Sequence, residues 1–172
     1  MRQRPGLSAE SRLAAVTTVS FDIAVLELFL PLAVGAQIVL ATREQATDGQ
    51  ALRQLLEANQ VDSMQATPAS WRLLIEAGWR GGSRFKALCG GEALPIDLAE
   101  ALMERTGELW NMYGPTETTV WSTCGRIEPG QDDVSIGRPI ANTQVWIVDP
   151  DGSLAPIGVP GELCIGGTGV AL

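Results

Sequence analysis

The feature that most constrains this chain is a repeated switch of hydrophobic period. From Leu13 to Tyr113, short apolar runs alternate with segments of helical spacing. Residues 13–19, 37–42, 63–67, 85–89 and 109–113 read as strands. Between them, Leu52, Leu55 and Leu56 recur at helical spacing, as do Trp71, Leu74 and Ile75, and then Leu98, Ala101 and Leu102. Pro68 and Pro95 stand where helices begin, a position that tolerates the missing N–H. Gly78 and Gly107 stand where helices end. Strands that alternate with helices need crossover connections. The predicted fold class is therefore α/β, a mostly parallel sheet with flanking helices.

After about Gly125 the helical spacing disappears. Residues 143–149 and 162–166 read as strands, with turns at Pro150 to Gly152 and at Pro156 and Pro160. The expected division is an α/β unit over residues 1–125 and the start of a β-rich unit over 126–172. Both ends run close to apolar strands without a closing element, so an internal piece of a longer protein is expected.

Composition narrows the chemistry. Hydrophobic residues make up 45% of the 172, enough for a packed core. The formal net charge of -8 argues against broad nucleic-acid binding. There is no histidine, which excludes a Ser-His-Asp triad, a Cys-His nucleophile and His-ligated zinc. Cys89, Cys124 and Cys164 lie far apart and read as reduced, structural thiols. The most apolar stretch, residues 23–34, is interrupted by Glu27 and Pro31 and is too short to span a bilayer. No signal peptide is visible at the start, and a soluble, cytoplasmic protein without a membrane partner is expected.

The segment Asn111 to Glu117, NMYGPTE, concentrates groups that suit a nucleotide. It lies beyond the carboxyl end of a predicted parallel strand, where open α/β sheets bind ligands. Tyr113 offers a flat face for a base and Asn111 an amide for a base edge. Thr116 offers a hydroxyl for phosphate, and Glu117 a hard oxygen for Mg²⁺. A strand followed by a capped turn would read much the same. Asp22, between an apolar strand and an apolar helix, suits either an N-cap or a partner for a cation. Gly90 and Gly91 follow a strand and permit close approach of the backbone to a ligand, as any tight turn would also require.

Taken together, NMYGPTE, the Ser20-Phe21-Asp22 segment, Gly90-Gly91-Glu92, Gly137-Arg138-Pro139 and the glycine-rich run 161–167 resemble the adenylate-forming enzymes, most closely the adenylation domains of nonribosomal peptide synthetases. The resemblance covers almost the whole chain. It implies a flavodoxin-like subdomain followed by the first strands of a distorted barrel. It implies that Tyr113 packs on adenine, that Thr116 approaches the phosphates and that Glu117 coordinates Mg²⁺. Gly91, Glu92, Asn111 and Gly114 would line the nucleotide site. Asp22 would pair with the α-ammonium of an amino acid. The family's pocket positions fall on Asp22, Ile23, Leu26, Gln65, Leu88, Gly90, Met112, Val120 and Trp121.

Most of those side chains are bulky, and no second charge accompanies Asp22. A pocket filled in this way leaves little room beyond the α-carbon, and the set resembles the family's glycine-activating pattern. The implied reaction joins an amino-acid carboxylate to the α-phosphate of ATP, with Mg²⁺. The aminoacyl group would then pass to phosphopantetheine on a carrier domain, with condensation domains as further neighbours. The family's phosphate loop, ribose-binding aspartate and C-terminal lysine have no counterpart here, and Lys86 is the only lysine. The chain alone is therefore expected to be catalytically incompetent. Two alternatives stay open: part of an acyl- or aryl-CoA ligase, and a non-catalytic binding or structural module.

Overall fold

A computed structural model describes residues 1–131 and 133–171. The chain runs β1 (Arg12–Ala15), α1 (Ala24–Val34), β2 (Gln37–Leu40), α2 (Arg43–Thr47), α3 (Gly49–Ala58), β3 (Ser63–Ala66), α4 (Pro68–Glu76), β4 (Gly82–Gly90), α5 (Ile96–Met103), β5 (Thr106–Tyr113), β6 (Thr123–Ile127), β7 (Arg138–Pro139), β8 (Thr143–Val148) and β9 (Glu162–Gly167). The first seven strands form one sheet in the order β2-β1-β3-β4-β5-β6-β7, and β8 and β9 form a second. Strands β1 to β5 run parallel to one another, whereas β6 pairs antiparallel with both β5 and β7. The α/β expectation holds. The handover between sheets falls between Pro139 and Thr143, later than the expected division at Gly125, because β6 and β7 extend the first sheet. No helix of the described residues is long and apolar enough to cross a membrane.

The strand pleat sorts the core onto two faces. Ala14, Met64, Ala66, Ala87, Cys89 and Leu109 meet Leu52, Trp71, Leu74, Leu98 and Leu102 on one side. Leu13, Leu88 and Met112 point the other way, onto Ile23, Leu26 and Leu30 of the α1 segment. Helix α1 is apolar around most of its circumference. Its outer stripe, Val25, Phe29 and Leu32, is exposed.

Local chemistry explains where the elements depart from the period pattern. β1 stops at Ala15 because the next two backbone N–H groups, of Val16 and Thr17, bond the Glu27 carboxylate instead of a strand. β2 and β3 stop short of Thr42 and Thr67, because each threonine caps the following helix. Pro68 takes the first helical position of α4 as expected, whereas Pro95 is the N-cap of α5. Gly107 does not end a helix. It lies inside β5, where a Cβ would stand 2.1 Å from the Ser83 carbonyl oxygen.

Candidate functional site

The carboxyl ends of β3, β4 and β5 assemble the site. Register pairs Gln65 with Leu88, Cys89 with Asn111 and Gly90 with Met112. Beyond Tyr113 the chain makes a tight turn at Gly114 and Pro115, then a 3₁₀ turn over Thr116–Thr118. It reverses through Thr119 and Val120, both at positive φ (62° and 70°). For a β-branched valine this is a rare, strained backbone, of the kind held at sites by surrounding structure at roughly 1–3 kcal/mol. The return passes directly over Gly114, where a Cβ would lie 2.5 Å from the Val120 carbonyl oxygen. Ser122 N–H donates to the Tyr113 carbonyl at 2.8 Å and starts the antiparallel pairing with β6. This crossing delivers Val120 and Trp121 to the α1 side of the sheet.

On the outer side of the turn, a cleft of about 330 Å³ is lined by Gly91, Glu92, Asn111, Tyr113, Gly114 and Pro115, among others. Five of the residues expected at a nucleotide are thus brought together. Tyr113 is 37% exposed, so its ring face is accessible. Asn111 is buried, and its amide N–H donates to the Ser135 carbonyl at 3.0 Å. One of its two amide donors is therefore committed to the 135 loop, a tie that spacing along the sequence does not signal. Thr116 and Glu117 are exposed at the rim. The Glu117 backbone carbonyl accepts from Ala171, which fixes the turn and leaves the carboxylate facing outward. Among the described residues, no group of three or more His, Cys, Asp or Glu side chains gathers at one point. A lone rim carboxylate suits Mg²⁺, which commonly takes one or two protein carboxylates and completes its shell with phosphates and water.

On the inner side, Ile23, Leu26, Leu88, Met112, Val120 and Trp121 belong to one buried apolar cluster. Six of the nine expected pocket positions are thus in a single packed group. Asp22 is half-buried at the mouth of α1 and does not cap it. The N-cap is Ile23, which makes no side-chain cap bond. None of the ion pairs among the described residues includes Asp22. Gly90 lies under the tryptophan, and a Cβ there would stand 2.4 Å from Trp121 Cη2. Trp121 is only 2% exposed.

Gln65 ties Trp121 to the start of α1. Its Oε1 accepts from Trp121 Nε1 at 3.0 Å. Its Nε2 donates to the Ile23 carbonyl at 2.8 Å and to Glu27 Oε1 at 3.0 Å. Sequence pattern registers Glu27 only as a charge interrupting an apolar stretch. Its position one turn after Ile23, on the buried stripe of α1, is the signal that could have singled it out. Burial pushes its carboxyl above the usual carboxylate range, against the pull of hydrogen bonds from Thr17, Gln65 and Val16.

Neither Cys89 nor Cys124 is poised for nucleophilic work. Burial, reinforced by the charge of Glu92, pushes Cys89 up to about 12, and burial also raises Cys124. Lys86 is spent elsewhere: its Nζ donates to the Pro5 and Gly6 carbonyls, each at 2.7 Å, and pairs with Glu108 at 3.5 Å.

Similarity to known proteins extends along the chain. The sequence pattern of the AMP-binding enzymes covers residues 1–172. The chain is 46% identical over 172 residues to a dimodular nonribosomal peptide synthase of Bacillus subtilis (strain 168), spanning 99% of this chain and 7% of that protein. It is 40% identical over 177 residues to tyrocidine synthase 3 of Brevibacillus parabrevis, spanning 99% of this chain and 3% of that one. Among solved structures, a four-domain holo nonribosomal peptide synthetase bound to AMP and glycine superposes with a TM-score of 0.94 at 46% identity. The match covers all of this chain and 13% of that one. A holo synthetase protein containing adenylation and carrier (PCP) domains, bound to a vinylsulfonamide inhibitor, gives 0.83 at 30% identity, over 96% of this chain and 30% of that one. The chain thus spans a small part of each of these relatives. With the sequence pattern and the fold agreeing along its whole length, this chain belongs to the AMP-binding enzyme family.

Proposed function

We propose that this chain forms the wall between amino acid and nucleotide in an aminoacyl-adenylate-forming domain of a nonribosomal peptide synthetase, and that the amino acid is glycine. The observation that carries the glycine reading is the Trp121 indole, bonded to Gln65 at 3.0 Å and seated over Gly90. A tryptophan held at both ends does not swing aside, so the space beyond a substrate α-carbon is filled. The glycine bound to the synthetase superposed at 0.94 supports the same reading.

In this reading the half-buried Asp22 carboxylate accepts from the substrate ammonium, a charge-assisted bond strengthened by its apolar neighbours. The substrate carboxylate then attacks the α-phosphorus of ATP. A new P–O bond forms, the bond to the bridging oxygen breaks, and pyrophosphate leaves. Tyr113 offers its ring to adenine and Thr116 its hydroxyl to the phosphates. Glu117 would hold Mg²⁺, which supplies positive charge against the phosphate oxygens. Most of the acceleration comes from alignment and fixed charge, because the chain contributes neither a nucleophile nor a histidine base. The aminoacyl group would be handed on to a phosphopantetheine thiol of a carrier domain. With Lys86 committed to Pro5, Gly6 and Glu108, turnover is a property of the complete domain.

The test is pyrophosphate exchange by the complete domain with glycine and alanine. The unaltered domain should prefer glycine, and Trp121→Ala should raise kcat/KM for alanine relative to glycine by roughly tenfold or more, the scale of one methylene in a fitted pocket. An unchanged ratio would remove the space-filling argument.

A further inference from the structure

Glu27 is fully buried, yet no cation pairs with it among the described residues. Four donors take the place of a counter-charge. Val16 and Thr17 backbone N–H groups reach Oε2 at 2.8 and 3.0 Å. The Thr17 hydroxyl and the Gln65 amide reach Oε1 at 2.5 and 3.0 Å. A carboxylate accepts at all of these sites and donates at none.

This fixes the polarity of everything in front of it. Gln65 Nε2 faces two groups that only accept, the Ile23 carbonyl and the Glu27 carboxylate. Gln65 Oε1 faces one group that only donates, the Trp121 indole N–H. Turning the amide over would break all three bonds at once. The direction Trp121 to Gln65 to Glu27 is the single arrangement that satisfies every buried group. Gly90 completes the seat, since only a residue without Cβ lets the indole tip lie there.

We infer that Glu27 is a positioning residue for substrate size: it touches no substrate, but by orienting the Gln65 amide it holds Trp121 in the volume a larger amino-acid side chain would need. This deepens the glycine reading and rests on it. The same carboxylate ties down Val16 and Thr17, which lead toward Asp22, so the carboxylate that accepts the ammonium and the tryptophan that limits size share one anchor.

Glu27→Gln is the direct test, because it keeps the shape and adds a donor. With the new NH₂ toward Gln65, donor meets donor, and relief requires the Gln65 amide to turn and release the indole. The opposite orientation, with the NH₂ toward Val16 and Thr17, would leave two backbone N–H groups, which cannot turn, without an acceptor, so the amide adopts the first one. In the complete adenylation domain, pyrophosphate exchange should show the alanine-to-glycine kcat/KM ratio rising about tenfold in Glu27→Gln. No further rise should follow when it is combined with Trp121→Ala, because the two act on one element. Glu27→Asp serves if the first variant does not fold. It retains an acceptor for the backbone N–H groups but draws back from Gln65, and the ratio should move the same way. A variant that loses activity with both amino acids equally, at an unchanged ratio, overturns the inference. Failure of the glycine reading looks different: the unaltered domain would not prefer glycine, or Trp121→Ala alone would gain nothing.

Discussion

At the scale of single residues, the motif and its surroundings carried different amounts of information. Tyr113, Glu92, Asn111 and Gly114 were legible because NMYGPTE and Gly90-Gly91-Glu92 are contiguous in sequence, and they do line one cleft. Gln65 and Trp121 were both singled out by their place in the family's pattern, but their mutual bond was not legible, since the two are 56 residues apart. Glu27 was passed over because periodicity registers an acid on an apolar stripe only as a defect. Its titration is testable. Burial raises the folded carboxyl above its unfolded value. The folded state therefore holds this proton more tightly, and the resulting stabilisation is complete below about 4.3 and fades as pH rises through the raised value. Glu27→Gln cannot titrate. The urea midpoint of the unaltered complete domain should therefore fall relative to that of the variant as pH increases from about 4 to about 7. A constant difference over that interval would show that Glu27 has the same affinity for its proton folded and unfolded.

At the scale of elements, strands and helices were found by their period, and their ends by side chains that compete for the backbone. The turn residues Thr42, Asp48 and Thr67 all accept from backbone N–H groups at helix starts. The sequence pattern missed α2 altogether, because residues 43–47 show no apolar stripe, and it is the capping box between Thr42 and Gln45 that starts this short helix. β6 and β7 were missed for a related reason: β6 mixes buried and exposed residues and β7 is a two-residue exposed edge strand, so neither stands out as an apolar run. Asp48 is the cleanest place to measure a cap. Its carboxylate accepts from the Ala51 N–H at 2.7 Å at the start of α3. Asp48→Ala should lower the unfolding free energy by about 1 kcal/mol without altering the exchange ratio between glycine and alanine. Chemical denaturation and the exchange assay, run on the same preparation, check both parts.

At the scale of the whole molecule, the sheet separates two cores with different duties. One face is packed by α3, α4 and α5. The other is packed by α1 and holds six of the expected pocket positions. Helix α1 therefore works on both sides: its inner stripe carries Leu26, Glu27 and Leu30, while Val25, Phe29 and Leu32 face outward and are exposed. An apolar stripe of this kind favours association in water. The 172-residue chain on its own should sediment as oligomers at micromolar concentration, and Phe29→Lys should shift it toward monomer. A monomeric chain with Phe29 intact would assign that stripe no role in association.

The chain of bonds from Trp121 through Gln65 to Glu27 also bears on how such a pocket changes over generations. Any one of the three altered alone leaves a buried donor or acceptor without its complement, at a cost of about 1–3 kcal/mol. Paths to a roomier pocket are therefore epistatic. A change at residue 121 that removes the indole N–H frees Gln65 to vary, and only then is the acid at residue 27 released. Redesign that exchanges only the residues lining the cavity would inherit an acid selected for a tryptophan no longer present, so residues 27, 65 and 121 are best exchanged as one heritable unit.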